Sequence, residues 1–291
     1  MAVSMTLWRR VTNPSGLACP RTGVGMAGGK RPLRYAAALA VLVSGLLPLS
    51  GCTANRNGGK AEPDAVHLLV TRALRAPLET IRGKLDAVAG QPVVVAYNSS
   101  EFMKRDILNG QAFDVAILVP RAAQSLFDAG KVQVETHEIA RGPVGVGLRG
   151  EGDVDISTPE GLKAALLNAR SVKYSRTGAA ILTTTAMFAR LGVDGKFRDS
   201  SALQTEVPLG PGEYELALYP LSEIIPNKKL RALGPLPAEF QDPVVIMAVT
   251  ARDSAHAAAA RALIEYLQGP AIDAALEANG LSKSTINSRF H

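Results

Sequence analysis

The chain has little of the chemistry that usually marks an enzyme. Its 291 residues include two cysteines, four histidines and one tryptophan. Both cysteines, Cys19 and Cys52, lie near the front, so the rest of the chain has no thiol for a disulfide, a thiolate metal site or a Cys–His nucleophile. His67, His137, His256 and His291 are scattered and form no spaced metal motif. Neither a Gly-x-Ser-x-Gly elbow nor a Gly-x4-Gly-Lys phosphate loop occurs. No metal site, no cofactor and no catalytic residue is therefore expected. A carboxylate pair is the one catalytic arrangement that spacing alone does not exclude, because Asp and Glu are common everywhere.

Acidic residues are also missing where the chain begins. Residues 1–51 carry six of the 32 basic residues and no acidic one. The remainder holds 26 basic and 26 acidic residues, a net charge of zero. The excess positive charge thus belongs to the front segment, and a nucleic-acid partner is not expected. No internal repeat or low-complexity segment is apparent in the remainder.

The front segment reads as a signal for export. Lys30, Arg31 and Arg34 precede a 15-residue apolar stretch, Tyr35 to Leu49, which ends in Ser50, Gly51 and Cys52. Basic, apolar and small residues in that order are a secretory signal. The stretch is short for a membrane span, which needs roughly 20 residues. Leu49-Ser50-Gly51-Cys52 resembles a bacterial lipobox, in which the cysteine is lipidated and anchors the protein to a membrane; a plain signal peptide with a chance cysteine is the other reading. Residues 1–25 fit neither a basic start nor an apolar core, and Met26 is the expected true start. Residues 52–64 are small, polar and glycine-containing and read as a tether.

Beyond the tether, strand-like and helix-like stretches alternate. Val66 to Val70 reads as a strand. Leu74, Leu78, Ile81, Leu85 and Val88 recur at helical spacing. Val93 to Tyr97 and Asp114 to Val119 read as strands, with helices over 101–109 and 122–129. Gly142 to Leu148 is an apolar, glycine-punctuated strand. Ser157 and Glu160 have capping-box spacing before a helix that carries Leu162, Ala165 and Leu166. Val172 to Tyr174 and Leu216 to Tyr219 are strands around a helix over 178–190. Val244 to Thr250 is a long apolar strand, followed by helices capped at Ser254 and running over 271–278. This order implies an α/β protein with mostly parallel sheets flanked by helices.

Ligands in open α/β sheets bind beyond the carboxyl ends of strands. Four places qualify: Arg72-Ala73, Ser99-Ser100, Thr177-Gly178 and Tyr219. Each has an ordinary reading as well. The serines can be helix caps, Arg72 a surface charge, Thr177 a loop residue and Tyr219 a core tyrosine.

Longer stretches carry a resemblance. VHLLVTRALRAPLETI, NSSEFMKRDILNGQAFDVAIL, SRTGAAILTTTAMFARLG, ELALYPLSEI and RALIEYLQGPAIDAALEANGL, in this order over about residues 65–283, resemble the substrate-binding proteins of bacterial molybdate ABC importers. The serine pair, a helix and Gly-x-x-x-Asp-Val-Ala-Ile are the most specific part. The resemblance implies a type II periplasmic-binding fold of two α/β lobes, with residues 65–143 and 241–285 in one and 144–240 in the other. Crossovers are expected near 141–149 and 236–245. It implies a monomeric, non-enzymatic protein outside the cytoplasm that closes on a small oxyanion, molybdate or tungstate first, and delivers it to an ABC permease. Ser100 with Ser99, Thr177 with Gly178, and Tyr219 match ligand-contacting positions. Ala73, beside Arg72, stands where that family usually has a serine. The chain therefore also resembles the divergent branch whose ligand is unassigned, for which a small organic anion is the alternative.

Overall fold

The computed structural model describes residues 65–197 and 208–290. The signal region, Cys52, the tether and residues 198–207 lie outside them. Among the described residues eleven strands follow in chain order: β1 (Val66–Thr71), β2 (Val93–Asn98), β3 (Val115–Leu118), β4 (Glu135–Gly142), β5 (Val144–Gly150), β6 (Ser171–Tyr174), β7 (Tyr214–Pro220), β8 (Arg231–Pro235), β9 (Val244–Thr250), β10 (Ser282–Lys283) and β11 (Asn287–Arg289). The helices are α1 (Arg75–Ile81), α2 (Leu85–Ala89), α3 (Ser100–Leu108), α4 (Pro120–Asp128), α5 (Pro159–Asn168), α6 (Ile181–Leu191), α7 (Asp194–Phe197), α8 (Leu221–Ile224), α9 (Ala257–Gln268) and α10 (Asp273–Ala278).

The strands form two sheets. The larger has the order β10-β4-β9-β3-β1-β2, with β11 also on β4, and the smaller has the order β6-β7-β5-β8. Parallel pairing is confined to β2-β1-β3 and β6-β7. The expectation of mostly parallel sheets is corrected here, because β9 enters antiparallel between β3 and β4, and β5 antiparallel between β7 and β8. The chain leaves the larger sheet at Pro143, between β4 and β5, and returns between β8 and β9. A strand that comes back from the other sheet runs against those that feed it.

Strands β1 and β3 are hydrophobic runs buried along nearly their whole length, as expected of strands covered on both faces. The larger core cluster unites Leu68, Leu74, Leu78, Ile117, Leu263 and Leu267 with Val146, Leu162, Phe188 and Leu218 from the second half of the fold. Leu74, Leu78, Ile81 and Leu85 do share a buried face, but the helix expected there is broken. Two 3-10 turns, Arg72–Leu74 and Arg82–Lys84, interrupt it. The α5 cap is Thr158, whose hydroxyl accepts from the Gly161 amide at 3.0 Å, rather than Ser157, whose hydroxyl donates to Asp155. Ser254 does not cap α9 directly. It donates to Asp114 at 2.6 Å and accepts from the His256 amide at 3.1 Å.

A polar clasp holds the two crossovers together. The Gln241 side-chain oxygen accepts from the Val144 amide at 3.2 Å, and its nitrogen donates to the Val144 and Leu236 carbonyls at 2.8 and 3.1 Å. Thr183 on α6 donates to the Asp242 carbonyl at 3.0 Å. Gly145 is required beside them. A Cβ there would lie 2.7 Å from the Leu221 side chain and 2.9 Å from the Gly234 carbonyl.

Candidate ligand site between the two sheets

Register brings the site residues to the strand ends. Thr71 pairs with Asn98, so Arg72 and Ser99 leave the larger sheet side by side. Tyr174 pairs with Leu218, so Ser175 leaves the smaller sheet beside Tyr219, which is still paired with Gly145 near the end of β7. Both sets lie at the carboxyl ends of parallel strands, where side chains and helix starts are free to meet a ligand.

Arg72, Tyr219 and Glu223 come together. Arg72 Nε lies 3.8 Å from Glu223 Oε2, linking the turn after β1 to α8, which follows β7. The arginine side chain is 44% exposed and the glutamate 20%, so the cation is the more accessible partner. Burial pushes the Tyr219 phenol up to about 12, helped by the Glu223 charge and opposed by Arg72. Burial also raises the Glu223 carboxyl, again against Arg72. Next to Glu223 the Ser222 hydroxyl is buried and has no hydrogen-bond partner among the described residues.

The remaining expected residues sit differently. Ala73 is fully buried in the larger core and brings no hydroxyl to the site. Ser99 is buried and caps α3, its hydroxyl accepting from the Phe102 amide at 3.4 Å. Ser100 is also buried, and its hydroxyl accepts from the Val119 amide at 3.2 Å. Each serine oxygen thus already accepts an internal bond, while its O–H can still donate. Thr177 and Gly178 are half-buried in the loop before α6. A Cβ on Gly178 would come within 2.6 Å of the Ser175 Cβ, so this close loop needs glycine. The loop Gly210–Glu213 is tied back on itself and to Arg170: Glu213 accepts from the Gly210 amide at 2.8 Å and from Arg170 at 3.1 Å.

A cavity of about 290 Å³ borders the Gly178 loop, and Arg72, Tyr219 and Glu223 are not among the residues that line it. Val119, Pro120 and Arg121 at the start of α4 face Gly178 to Thr183 at the start of α6, and Asp242 to Val245 close it. Two helix N-termini therefore border it, a setting that favours negative charge. Its walls are mostly apolar. A water's share of liquid volume is about 30 Å³, so the four oxygens of a bare oxyanion would claim roughly 120 Å³, less than half of the cavity. Arg121 is held by Glu101 at 2.8 Å. Sequence reasoning did not single out Glu223, Ser222 or Val119–Arg121. The acid in YPLSEI, four residues after Tyr219, was the available signal.

A different Ser–His–Asp grouping lies at the other end of the larger sheet. Asp114 accepts from Ser254, from the His67 amide at 2.8 Å, and contacts His256 Nδ1 at 3.2 Å. The serine donates to the aspartate and not to the histidine, so this is a structural knot and lacks the order of a nucleophilic triad. Among the described residues no helix is long and apolar enough to cross a membrane.

Comparisons with known proteins agree with this architecture. Residues 66–282 match the family of bacterial extracellular solute-binding proteins. A curated relative, the aconitate isomerase of a Pseudomonas species, is 27% identical over 174 residues, covering 58% of this chain and 66% of that protein. The chain thus spans slightly less than two thirds of that relative's length. Among solved structures, the periplasmic molybdate-binding protein of Azotobacter vinelandii is 19% identical with a TM-score of 0.58, over 74% of this chain and 98% of that one. A tungstate-binding protein of Desulfovibrio alaskensis is 11% identical with a TM-score of 0.52, over 77% of this chain and 100% of that one. The fold is that of the two-lobed periplasmic binding proteins, as the sequence resemblance implied, and the chain belongs to the bacterial extracellular solute-binding protein family.

Proposed function

We propose that this protein captures a small organic anion between two lobes outside the cytoplasm and presents it to a membrane permease. The lobes are residues 65–143 with 241–285, and residues 144–240. Cys52 carries the lipid that keeps a monomer at the membrane. Arg72, Tyr219 and the Gly178 loop face the ligand, with Thr177 beside them, and the Ala73, Ser99 and Ser100 backbone frames the floor. The reading favours an organic anion over molybdate or tungstate. Its main support is that Ala73 offers no hydroxyl where the resembled family usually has a serine, whereas an arginine stands next to it. An oxyanion held by neutral groups needs such a hydroxyl, and a carboxylate suits a guanidinium. The mostly apolar cavity beside the Gly178 loop also has room for a carbon frame. The ligand, touching both lobes, favours their closed arrangement.

A second reading comes from the aconitate isomerase relative: the same cleft could shift a proton within a bound unsaturated acid. A single experiment separates these readings. The protein is screened by thermal shift against molybdate, tungstate, sulfate, fumarate and cis-aconitate, and the cis-aconitate sample is then analysed by chromatography. The proposal expects stabilisation by carboxylates, absent in Arg72→Gln, with cis-aconitate recovered unchanged. Conversion to the trans isomer would establish the isomerase. Stabilisation by molybdate and tungstate alone would refute the organic-anion reading.

A further inference from the structure

Glu223 occupies an unusual place for an acid in an anion site. Its carboxylate oxygen is 3.8 Å from Arg72 Nε, across the gap between the turn after β1 and the helix after β7. An anion that engages Arg72 must therefore share the guanidinium with a carboxylate that is already there. Two anions on one cation, partly shielded from water, repel, and such shared sites are relieved when one of the pair takes a proton.

Resting on the organic-anion reading above, we propose that anion capture in this cleft is coupled to the uptake of one proton by Glu223. The bound state then holds a neutral Glu223 beside an Arg72 whose charge is given to the ligand. No bond to carbon is made or broken; the proton comes from solvent and returns when the anion leaves. Glu223 thereby determines which charge state the site accepts, and delivery is favoured where the pH is higher.

The surroundings support this assignment. Burial already biases Glu223 toward its neutral form, with Arg72 opposing. Tyr219 on β7 is the other titratable group acting with it, and its phenol stays protonated. The charged groups on the other elements packed against α8 are turned to other partners. Arg75 on α1 lies over the Tyr97 ring at 5.3 Å, and Glu79 acts on the Tyr97 phenol. Arg149 on β5 pairs with Glu215 on β7, and Arg231 on β8 donates to the Gly152 carbonyl. Arg72 is thus the cation that both Glu223 and an incoming anion would use.

The test is calorimetric titration of the protein with fumarate, whose own carboxyls are ionised throughout about pH 5.5 to 8. Titrations near pH 7 in two buffers of different ionisation enthalpy count the protons taken up. The expected result is about one proton per fumarate, with affinity falling up to tenfold per unit as pH rises. Glu223→Gln should bind fumarate with no proton uptake and little pH dependence, and Glu223→Met should behave alike if the amide mispairs. Binding without proton uptake in the wild type, or uptake that persists in both variants, overturns the inference alone. Failure of fumarate to bind refutes the organic-anion reading, and the inference falls with it.

Discussion

Gln241 is the residue on which the two crossovers depend most visibly, and its removal has a calculable cost. In Gln241→Ala three hydrogen bonds are lost. The Val144 carbonyl keeps a partner, because the Leu236 amide donates to it at 3.0 Å. The Val144 amide does not, and Val144 is fully buried. An unsatisfied buried donor costs about 1–3 kcal/mol. For a fold of this size each kcal/mol moves Tm by roughly 2–4 °C, so a loss of roughly 2–12 °C is expected. Gln241→Glu sharpens the test. It keeps an acceptor for the Val144 amide but places a second oxygen against the Val144 and Leu236 carbonyls. Calorimetric melting should find it less stable than Gln241→Ala at pH 7, and partly recovered below about pH 5, where the acid can protonate and donate again. Gln241→Ala melting within about 1 °C of the wild type, or Gln241→Glu matching it at pH 7, would refute the clasp.

Other substitutions follow from the same contacts. Glu223→Gln should raise Tm at pH 7. The raised carboxyl penalises the ionised fold above its ordinary value of 4.5, so the gain should shrink as pH falls towards that value and be gone below it. Ser100→Ala removes the acceptor of the Val119 amide and should lower stability by about 1–2 kcal/mol in denaturant melts, besides weakening any ligand held at the start of α4. Asp114→Asn disturbs the bonds from Ser254 and the His67 amide and should cost about 1.5–3 kcal/mol by the same assay, with ligand affinity unchanged.

Much of this architecture is legible in the sequence where hydrophobic runs are long. Strand β9 was bounded correctly, and β1 and β3 to within a residue, because Val, Ile and Leu fill them. Strand β4, ETHEIARG, was missed, since its charges hide a buried stretch in which Glu138 is neutralised by Arg141 at 2.6 Å. The short edge strands β10 and β11 carry no hydrophobic signal at all. The break within residues 72–89 was hidden because Leu74, Leu78, Ile81 and Leu85 keep helical spacing while the backbone tightens into 3-10 turns between them.

The candidate site divides along the same line. Arg72, Ser99 and Tyr219 could be placed because strand ends and helix starts are local features. That the serine oxygens accept from the Phe102 and Val119 amides depends on side-chain direction, which spacing does not carry. Glu223 was invisible for a different reason. Its partner, Arg72, is 151 positions away in the chain, and only the assembled fold brings the two together.

The central claim is that a carboxylate is held at Arg72 and Tyr219. A crystal structure of the protein grown with fumarate tests it most directly. The account predicts the dicarboxylate between the two sheets, with one carboxylate on the Arg72 guanidinium and the Tyr219 hydroxyl within hydrogen-bond reach. Fumarate bound elsewhere, or a cleft that accepts molybdate and excludes fumarate, would contradict it.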